Sequence, residues 1–375
     1  MRPGRVARSL SHPLRLGQPP SRSHNGERDP GRRAQRLEPV DGRRGNPRDG
    51  AAPGARASVL MSEVDEGALG AGLERVAARC RDEPELAATS TLLAAVGNRE
   101  VTAVDLHGDG LDTPVPTIAS VTKSLLSTVT GWALADGLVD LTTTLHELLG
   151  DPVPPPRRPA TVHHLLSMTS GADGGLLPID DVMALPSGWV PALLEFAQLD
   201  APGRRFRYDN GAWHLLAAGL QRAVGGDLLG YARRVLEPSG CADVDWPRDL
   251  EGVPYGFGDA RLSPRQLLAF GRAWADGRAV PDRYRERAWR ACSPGGPPEQ
   301  RPYGYGWWLS PDDAGVRTCL AAGWAGQAVL IAPDHGLVLV ATGSPERWRN
   351  DASRPVLPLL EELARDVLSA ARPGS

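Results

Sequence analysis

The 375-residue sequence predicts an α+β fold: one antiparallel sheet flanked by N- and C-terminal helices, carrying an inserted all-helical lobe. Two observations predict it. Short apolar runs with strand character gather near the start and the end of the chain, whereas the stretch between them repeats apolar residues at spacings of three and four. Strands so far apart in sequence pair most simply by bringing the two ends together, which leaves a cleft between the sheet and the helices.

Residues 1–57 hold 13 arginines against 5 acidic residues, a charge of +8, which leaves −11 on the rest of a chain whose net charge is −3. This segment is rich in Pro, Gly, Arg and Ser, lacks apolar periodicity and is expected to be a disordered tail. The folded domain is expected over 58–372, with Met61 as the native start. The tail offers no apolar core of the roughly 7–15 residues that a signal peptide needs. No later run is long enough to span a bilayer. Cys80, Cys241, Cys292 and Cys319 are scattered, without a C-x-x-C pair. Reduced thiols in the cytoplasm are therefore expected, with no membrane partner. The acidic folded part argues against nucleic acid as a partner.

Taken in order, residues 63–80 read as an amphipathic helix with Val64, Leu69, Leu73, Val76 and Ala77 on one side. Thr91–Val96 and Val101–Leu106 read as strands around Gly97-Asn98, a hairpin signal. A helix containing Ser120 follows, with Val121, Leu125, Val129 and Trp132 on one face and Gly137 as its stop. Pro152–Pro159 is a proline-rich connection, and Thr161–Met168 is a short helix ending at Ser170-Gly171. Helical spacing returns at Asn210–Val224, stopped by Gly225-Gly226, and at Pro264–Ala275. Strands are expected at Gly306–Leu309, Val316–Leu320, Ala328–Ala332 and Leu337–Thr342, with a turn at Pro333–Gly336 between the last two. A helix over Val356–Ala371 closes the chain. The sheet lobe thus covers about 58–115 plus 303–372, and the helical lobe about 116–302.

Of the 42 basic residues, 41 are arginine and one, Lys123, is lysine. Arginine cannot accept a proton from a neighbour, because its pKa exceeds about 12. A lysine whose pKa is lowered by burial can. Lys123 follows Ser120 by three residues, so the two side chains lie on one helical face and can meet across a turn. At a helix amino end, free N–H groups also favour developing negative charge. This is how a serine nucleophile with a lysine base is built. The motif S-x-x-K alone is also what an N-cap serine and a surface lysine look like.

A second motif lies in Pro202–Asn210, where Tyr208 and Asn210 stand just before a helix. A tyrosine oxygen beside a buried lysine can relay a proton to a leaving group, and an asparagine amide can orient lysine and substrate. Alone, the pair reads as a capping asparagine next to a packing tyrosine. A third motif, Ala322-Gly323-Trp324-Ala325-Gly326-Gln327, precedes a strand. Its small residues let a substrate approach the backbone, whose N–H groups can join that of Ser120 as an oxyanion hole. Alone, it reads as a β-bulge with a half-exposed tryptophan.

In this order, the three motifs resemble the serine β-lactamase and penicillin-binding-protein superfamily, in its class C-like branch with family VIII carboxylesterases. The resemblance spans about Val59–Leu368. Gly131–Asp140, Thr161–Gly171, Tyr255–Gly271 and Tyr303–Trp308 look alike as well. It implies the β-lactamase/transpeptidase-like fold, Ser120 as acylated nucleophile, Lys123 as its base and Tyr208 as proton relay. It also implies Asn210 as polar positioner and the N–H groups of Ser120 and Gln327 as oxyanion hole, beside Trp324 and Gly326. No cofactor or metal is implied. The expected substrate is a small carboxylic ester or amide.

Two departures narrow this expectation. β-Lactamases and transpeptidases open the third motif with Lys or His, which helps hold a substrate carboxylate. Here Trp324 takes that place, as in the Trp-Gly-Gly of family VIII esterases, and Arg317 is a candidate replacement cation. The Glu-x-x-Leu-Asn motif of class A deacylation is also missing. The alternatives are β-lactamase or D-peptidase activity of the same fold, or a catalytically silent binding or regulatory protein. His163-His164 read as helix-surface histidines, Asp105, His107 and Asp109 as a solvated turn, and Trp307 and Trp308 as core or cleft wall. Substrate pockets are expected on the loops Gly171–Pro191 and Ser293–Pro302. Oligomeric state leaves no mark in the sequence.

Overall fold

The computed structural model describes residues 64–370, apart from 175, 312–314 and 350–351 and the side chains of 176–178 and 370. The expected tail at 1–57 and the start at Met61 lie outside the described residues. Eight strands form one antiparallel sheet: β1 (Thr89–Val96), β2 (Arg99–Asp105), β3 (Ser293–Gly296), β4 (Arg301–Tyr303), β5 (Trp308–Leu309), β6 (Cys319–Gly323), β7 (Gln327–Ala332) and β8 (Leu337–Gly343). Their spatial order is β2-β1-β8-β7-β6-β5-β4-β3, so the two ends of the chain meet where β1 pairs with β8. Leu92 stands opposite Ala341, and Val329 opposite Val340.

Every residue of β7 and β8 is buried, so both faces of the sheet centre are covered. The helix Glu66–Asp82 packs against the C-terminal helix Leu357–Ala370 and against β1, while Pro264–Asp276 packs against β1, β7 and β8. Small residues set the approach distance. A Cβ on Gly271 would lie 2.6 Å from Val338 Cγ1 and 2.8 Å from Val329 Cγ1. The expected α+β architecture, with strands from both chain ends and helices between, is the one observed.

The strand expected at Gly306–Leu309 is confined to Trp308–Leu309, and two further boundaries differ from expectation. The sheet resumes at Ser293 rather than after Tyr303, because the β3–β4 hairpin is built from Pro- and Gly-rich sequence with no alternating pattern. β6 starts at Cys319 and runs to Gly323, which leaves Arg317 outside any strand.

The helix behind Ser120 runs through the middle of the molecule. It opens as a 3₁₀ turn at Ala119–Val121 and continues as an α-helix over Thr122–Ala135, with Lys123–Gly131 buried throughout. A helix buried all round cannot show a clean polar face. Its hydroxyls are therefore satisfied internally: Ser124 donates to the Gly306 carbonyl at 2.7 Å, Ser127 to that of Tyr305 at 2.7 Å, and Thr128 to that of Ser124 at 2.9 Å. Among the described residues, no helix is long and apolar enough to cross a membrane.

Candidate active site

Ser120 sits where the chain is forced into an unusual backbone conformation. Ala119, the residue before it, has φ +44°, a left-handed value that costs a non-glycine residue about 1–2 kcal/mol. The Ala119 N–H donates to Thr117 Oγ1 at 2.7 Å, and that hydroxyl donates to Asp259 Oδ1 at 2.9 Å. This chain of bonds braces the turn that presents Ser120 at the start of its helix.

Lys123 is 2% exposed, and its Nζ donates to Ser120 Oγ at 2.9 Å and to the Phe257 carbonyl at 2.6 Å. Burial pushes its pKa well below the ordinary lysine value, against a smaller upward pull from the charges of Asp209 and Asp259. The Tyr208 hydroxyl donates to Ser120 Oγ at 2.7 Å, and the Tyr208 ring lies 4.9 Å from Lys123 Nζ. Burial raises the Tyr208 pKa, partly offset by its bond to Ser120 and reinforced by the charge of Glu299. The ring is held parallel to Trp308, at 5° and 6.3 Å between centroids.

Ser120, Tyr208, Trp324, Gly326 and Gln327 line one cavity of about 270 Å³. The third motif forms the tight connection between β6 and β7, with Ala325 at φ +62° and Gly326 at φ +87°. Gly323 is needed for close approach. A Cβ there would lie 2.8 Å from the Ile118 carbonyl oxygen and 3.0 Å from the Ser120 nitrogen. The Gln327 side chain is spent on structure, since its Nε2 donates to the Gly343 carbonyl at 2.7 Å. Its contribution to the cleft is therefore backbone. Trp324 is 53% exposed, edge-on to Trp348.

Asn210 is the first residue of the helix Asn210–Ala223 and is buried, and no hydrogen bond ties its side chain to Ser120 or Lys123 among the described residues. The helix cap is Asp209, whose carboxylate accepts from the Ala212 N–H at 2.8 Å and from the Ser170 hydroxyl at 2.7 Å. Burial pushes the Asp209 carboxyl up, opposed by these bonds and by the charge of Arg157.

Sequence reasoning passed over Asp209, although an acidic residue directly before a helical run is a legible cap signal. It also passed over the Phe257 carbonyl, Glu299, Trp348 and Leu357, which no local pattern marks. Of the two loops expected to form pockets, 293–302 contributes Pro298 and Glu299 to the cavity, and no described residue of 171–191 lines it. Arg317 is directed elsewhere, 3.5 Å from Asp334 and over the Trp289 ring. It borders a separate depression of about 810 Å³ that holds none of the three motifs.

The remaining candidates have structural work. Asp105 accepts the backbone N–H groups of His107, Gly108, Asp109 and Gly110, so these residues form a turn. His164 closes the cap of its helix at Thr161, and His163 meets the Tyr305 hydroxyl at 2.7 Å. Trp307 is fully buried against Phe270 and Trp274, while Trp308 forms cleft wall. Among the described residues, no cluster of three or more His, Cys, Asp or Glu could hold a metal.

Comparison with solved structures gives the same fold in proteins of low sequence identity. EstCE1, a hydrolase with promiscuous acyltransferase activity, superposes with a TM-score of 0.67 at 17% identity, covering 81% of this chain and 99% of that one. The octameric penicillin-binding protein homologue from Pyrococcus abyssi gives 0.64 at 18% identity over 81% and 78% of the two chains. The D-stereospecific amidohydrolase from Streptomyces sp. gives 0.58 at 18% over 75% and 94%. No curated protein matches the sequence. The family model described as Beta-lactamase matches residues 92–355, which include all three motifs, and the chain belongs to that family.

Proposed function

We propose that the protein is a serine hydrolase that acylates Ser120 and acts on small carboxylic esters or amides. One observation carries this reading: a single hydroxyl oxygen lies within hydrogen-bond reach of both a buried lysine amine and a tyrosine hydroxyl, and lines a largely apolar cavity. With Lys123 neutral, its lone pair accepts the Ser120 proton as Oγ attacks the substrate carbonyl carbon. The tetrahedral oxyanion is stabilised by the N–H groups of Ser120 and Gln327. As that intermediate collapses, the leaving oxygen or nitrogen takes a proton through Tyr208, which is refilled from Lys123. Water then attacks the acyl-Ser120 ester by the same route in reverse, releasing the acid.

The cavity supports esters or amides with apolar groups more than carboxylate-bearing β-lactams. No Lys, Arg or His lines it among the described residues, and the indole of Trp324 stands at its rim. Turnover of a short p-nitrophenyl ester that vanishes in Ser120→Ala, with labelling of Ser120 by a serine-directed phosphonate, is the expected result. Absence of both turnover and labelling would refute the reading and leave a binding protein on the same fold.

A further inference from the structure

The cavity beside Ser120 contains a feature that ester hydrolysis alone does not require. Glu299 lies at the turn of the β3–β4 hairpin, Pro297–Gln300, which carries Pro298 and Glu299 into the cavity. Apart from the phenol of Tyr208, it is the one ionisable side chain among the described residues lining that space. Its carboxylate makes no hydrogen bond and no ion pair among the described residues. The cation whose charge acts on it is Arg301, and that guanidinium is engaged by Glu361. Burial raises the Glu299 pKa, and its charge reaches the Tyr208 hydroxyl. A half-buried, unpartnered carboxylate is an unsatisfied acceptor, and such groups gain most from a matching cation.

The walls around it are aromatic. Trp308, Trp324, Trp348 and Tyr208 line the same cavity, with Trp324 edge-on to Trp348 and Trp308 parallel to Tyr208. Aromatic faces with a nearby carboxylate attract a weakly hydrated cation, because the ring quadrupole and the negative charge act together while the methyl groups of the cation replace water on the indoles. A carboxylate-bearing ligand would meet the opposite among the described lining residues: one like charge and no Lys, Arg or His. On its other side Glu299 borders a groove with Arg301, Glu361 and Arg365, so the cleft face is the one lacking a counter-charge.

Resting on the reading of this cleft as an acyl-transfer site, we propose that Glu299 and the indoles form a subsite for an ammonium group. The substrate class is then a small ester or amide that carries a positive charge, best matched by a methylated, choline-like amine.

Two probes of equal shape separate charge from bulk: choline, and 3,3-dimethylbutan-1-ol, which has carbon in place of the nitrogen. Their affinities are read by tryptophan fluorescence or titration calorimetry on the full chain. Choline is expected to bind about tenfold more tightly or better, the scale of a desolvated cation–π contact joined to a carboxylate. In Glu299→Gln the ratio should fall to within about threefold, and in Glu299→Lys it should invert. Equal affinities in the native protein, or a ratio unchanged in Glu299→Gln, would overturn the subsite. Neither probe has a scissile bond, so the outcome does not depend on turnover. If the probes discriminate but no ester is hydrolysed, the acyl-transfer reading fails and the subsite stands. Where esters are hydrolysed, the choline ester should be preferred over the dimethylbutyl ester with the same dependence on residue 299.

Discussion

The Nζ of Lys123 lies 2.6 Å from the carbonyl oxygen of Phe257 and 2.9 Å from Ser120 Oγ, so two bonds hold the amine beside the hydroxyl. The lysine is buried at 2% exposure, and burial holds its pKa down against the upward pull of the Asp209 and Asp259 charges. Replacing it by the uncharged Lys123→Met tests what the amine does. Ester turnover is expected to fall about 10²–10⁴-fold, the usual range for loss of a general base. Stability should move the other way at neutral pH. A lysine whose folded pKa is lowered binds its proton better in the unfolded chain, so its cost is full below the folded pKa. That cost shrinks as pH rises toward the ordinary value of 10.5 and is gone above it. Lys123→Met should thus melt at the same temperature as the native protein or higher near pH 7, with the difference closing in alkali. A large destabilisation at pH 7 together with retained turnover would contradict both assignments.

Asp209 offers a pH test. Its charge pulls the Lys123 pKa upward, though less strongly than burial pulls it down. On the proposed mechanism Lys123 must be neutral to act, so kcat/KM is expected to rise with pH through the lysine pKa. Asp209→Asn keeps an acceptor for the Ala212 N–H and removes the charge. The acidic limb of the profile should then shift to lower pH, because the charge that raises the lysine pKa is gone. A shift to higher pH, or none with the fold intact, would mean that the limb belongs to another group.

Tyr208→Phe removes one oxygen and leaves the ring parallel to Trp308. The expected effect is a fall in kcat of roughly 10²–10³-fold with a KM changed by about threefold or less, because the hydroxyl acts on the proton and the ring on the pocket wall. Stopped-flow and steady-state measurements with leaving groups of different basicity would sharpen this. On the proposed mechanism poor leaving groups should suffer most, since they depend on a proton passed through Tyr208.

The motifs were legible because their chemistry is local. Ser120 and Lys123 are one helical turn apart, and a single lysine among arginines stands out in the sequence. Tyr208 and the third motif were found as punctuation before a helix and before a strand, where small and turn-forming residues are visible. What stayed hidden is long-range or backbone-borne. The Phe257 carbonyl could be any residue's carbonyl, and Glu299 reaches the cavity only because two short strands of Pro- and Gly-rich sequence pair into a hairpin. Asn210, two residues after Tyr208, is buried at the start of its helix behind the Asp209 cap and makes no hydrogen bond to Ser120 or Lys123 among the described residues.

Gly343 at the end of β8 supports the third motif from behind. A Cβ there would lie 1.7 Å from the Ala325 carbonyl oxygen, a backbone atom that cannot swing aside. Gly343→Ala is expected to cost about 2–3 kcal/mol of stability by overpacking. It should also lower esterase activity more than the fraction of unfolded protein explains, because Ala325 sits between Trp324 and Gly326 in the cavity wall. Chemical denaturation alongside turnover per folded molecule would check both. An unchanged midpoint would show that the β6–β7 turn yields easily.

Trp324 lets the charge character of the cleft be reversed without disturbing the core, because its side chain is 53% exposed and makes one ring contact, with Trp348. Among the described residues lining the cavity, carboxylate-bearing substrates such as nitrocefin meet no Lys, Arg or His and one carboxylate, Glu299. The native protein is therefore expected to turn over nitrocefin far more slowly than a neutral p-nitrophenyl ester. Trp324→Lys supplies an ammonium at the rim, and a charge-assisted contact of about 1.5–3 kcal/mol converts to roughly a 10–100-fold gain for the anionic substrate. The neutral ester has no charge to meet and loses the indole, so its kcat/KM should fall or stay level. The quantity to read is the ratio of the two kcat/KM values, since any general damage to the site cancels in it. Combining Trp324→Lys with Glu299→Gln should raise that ratio further, each change removing a different reason for a carboxylate to stay out. Efficient nitrocefin turnover by the native protein would show that neither Trp324 nor Glu299 sets the preference, and would move the assignment toward a β-lactamase.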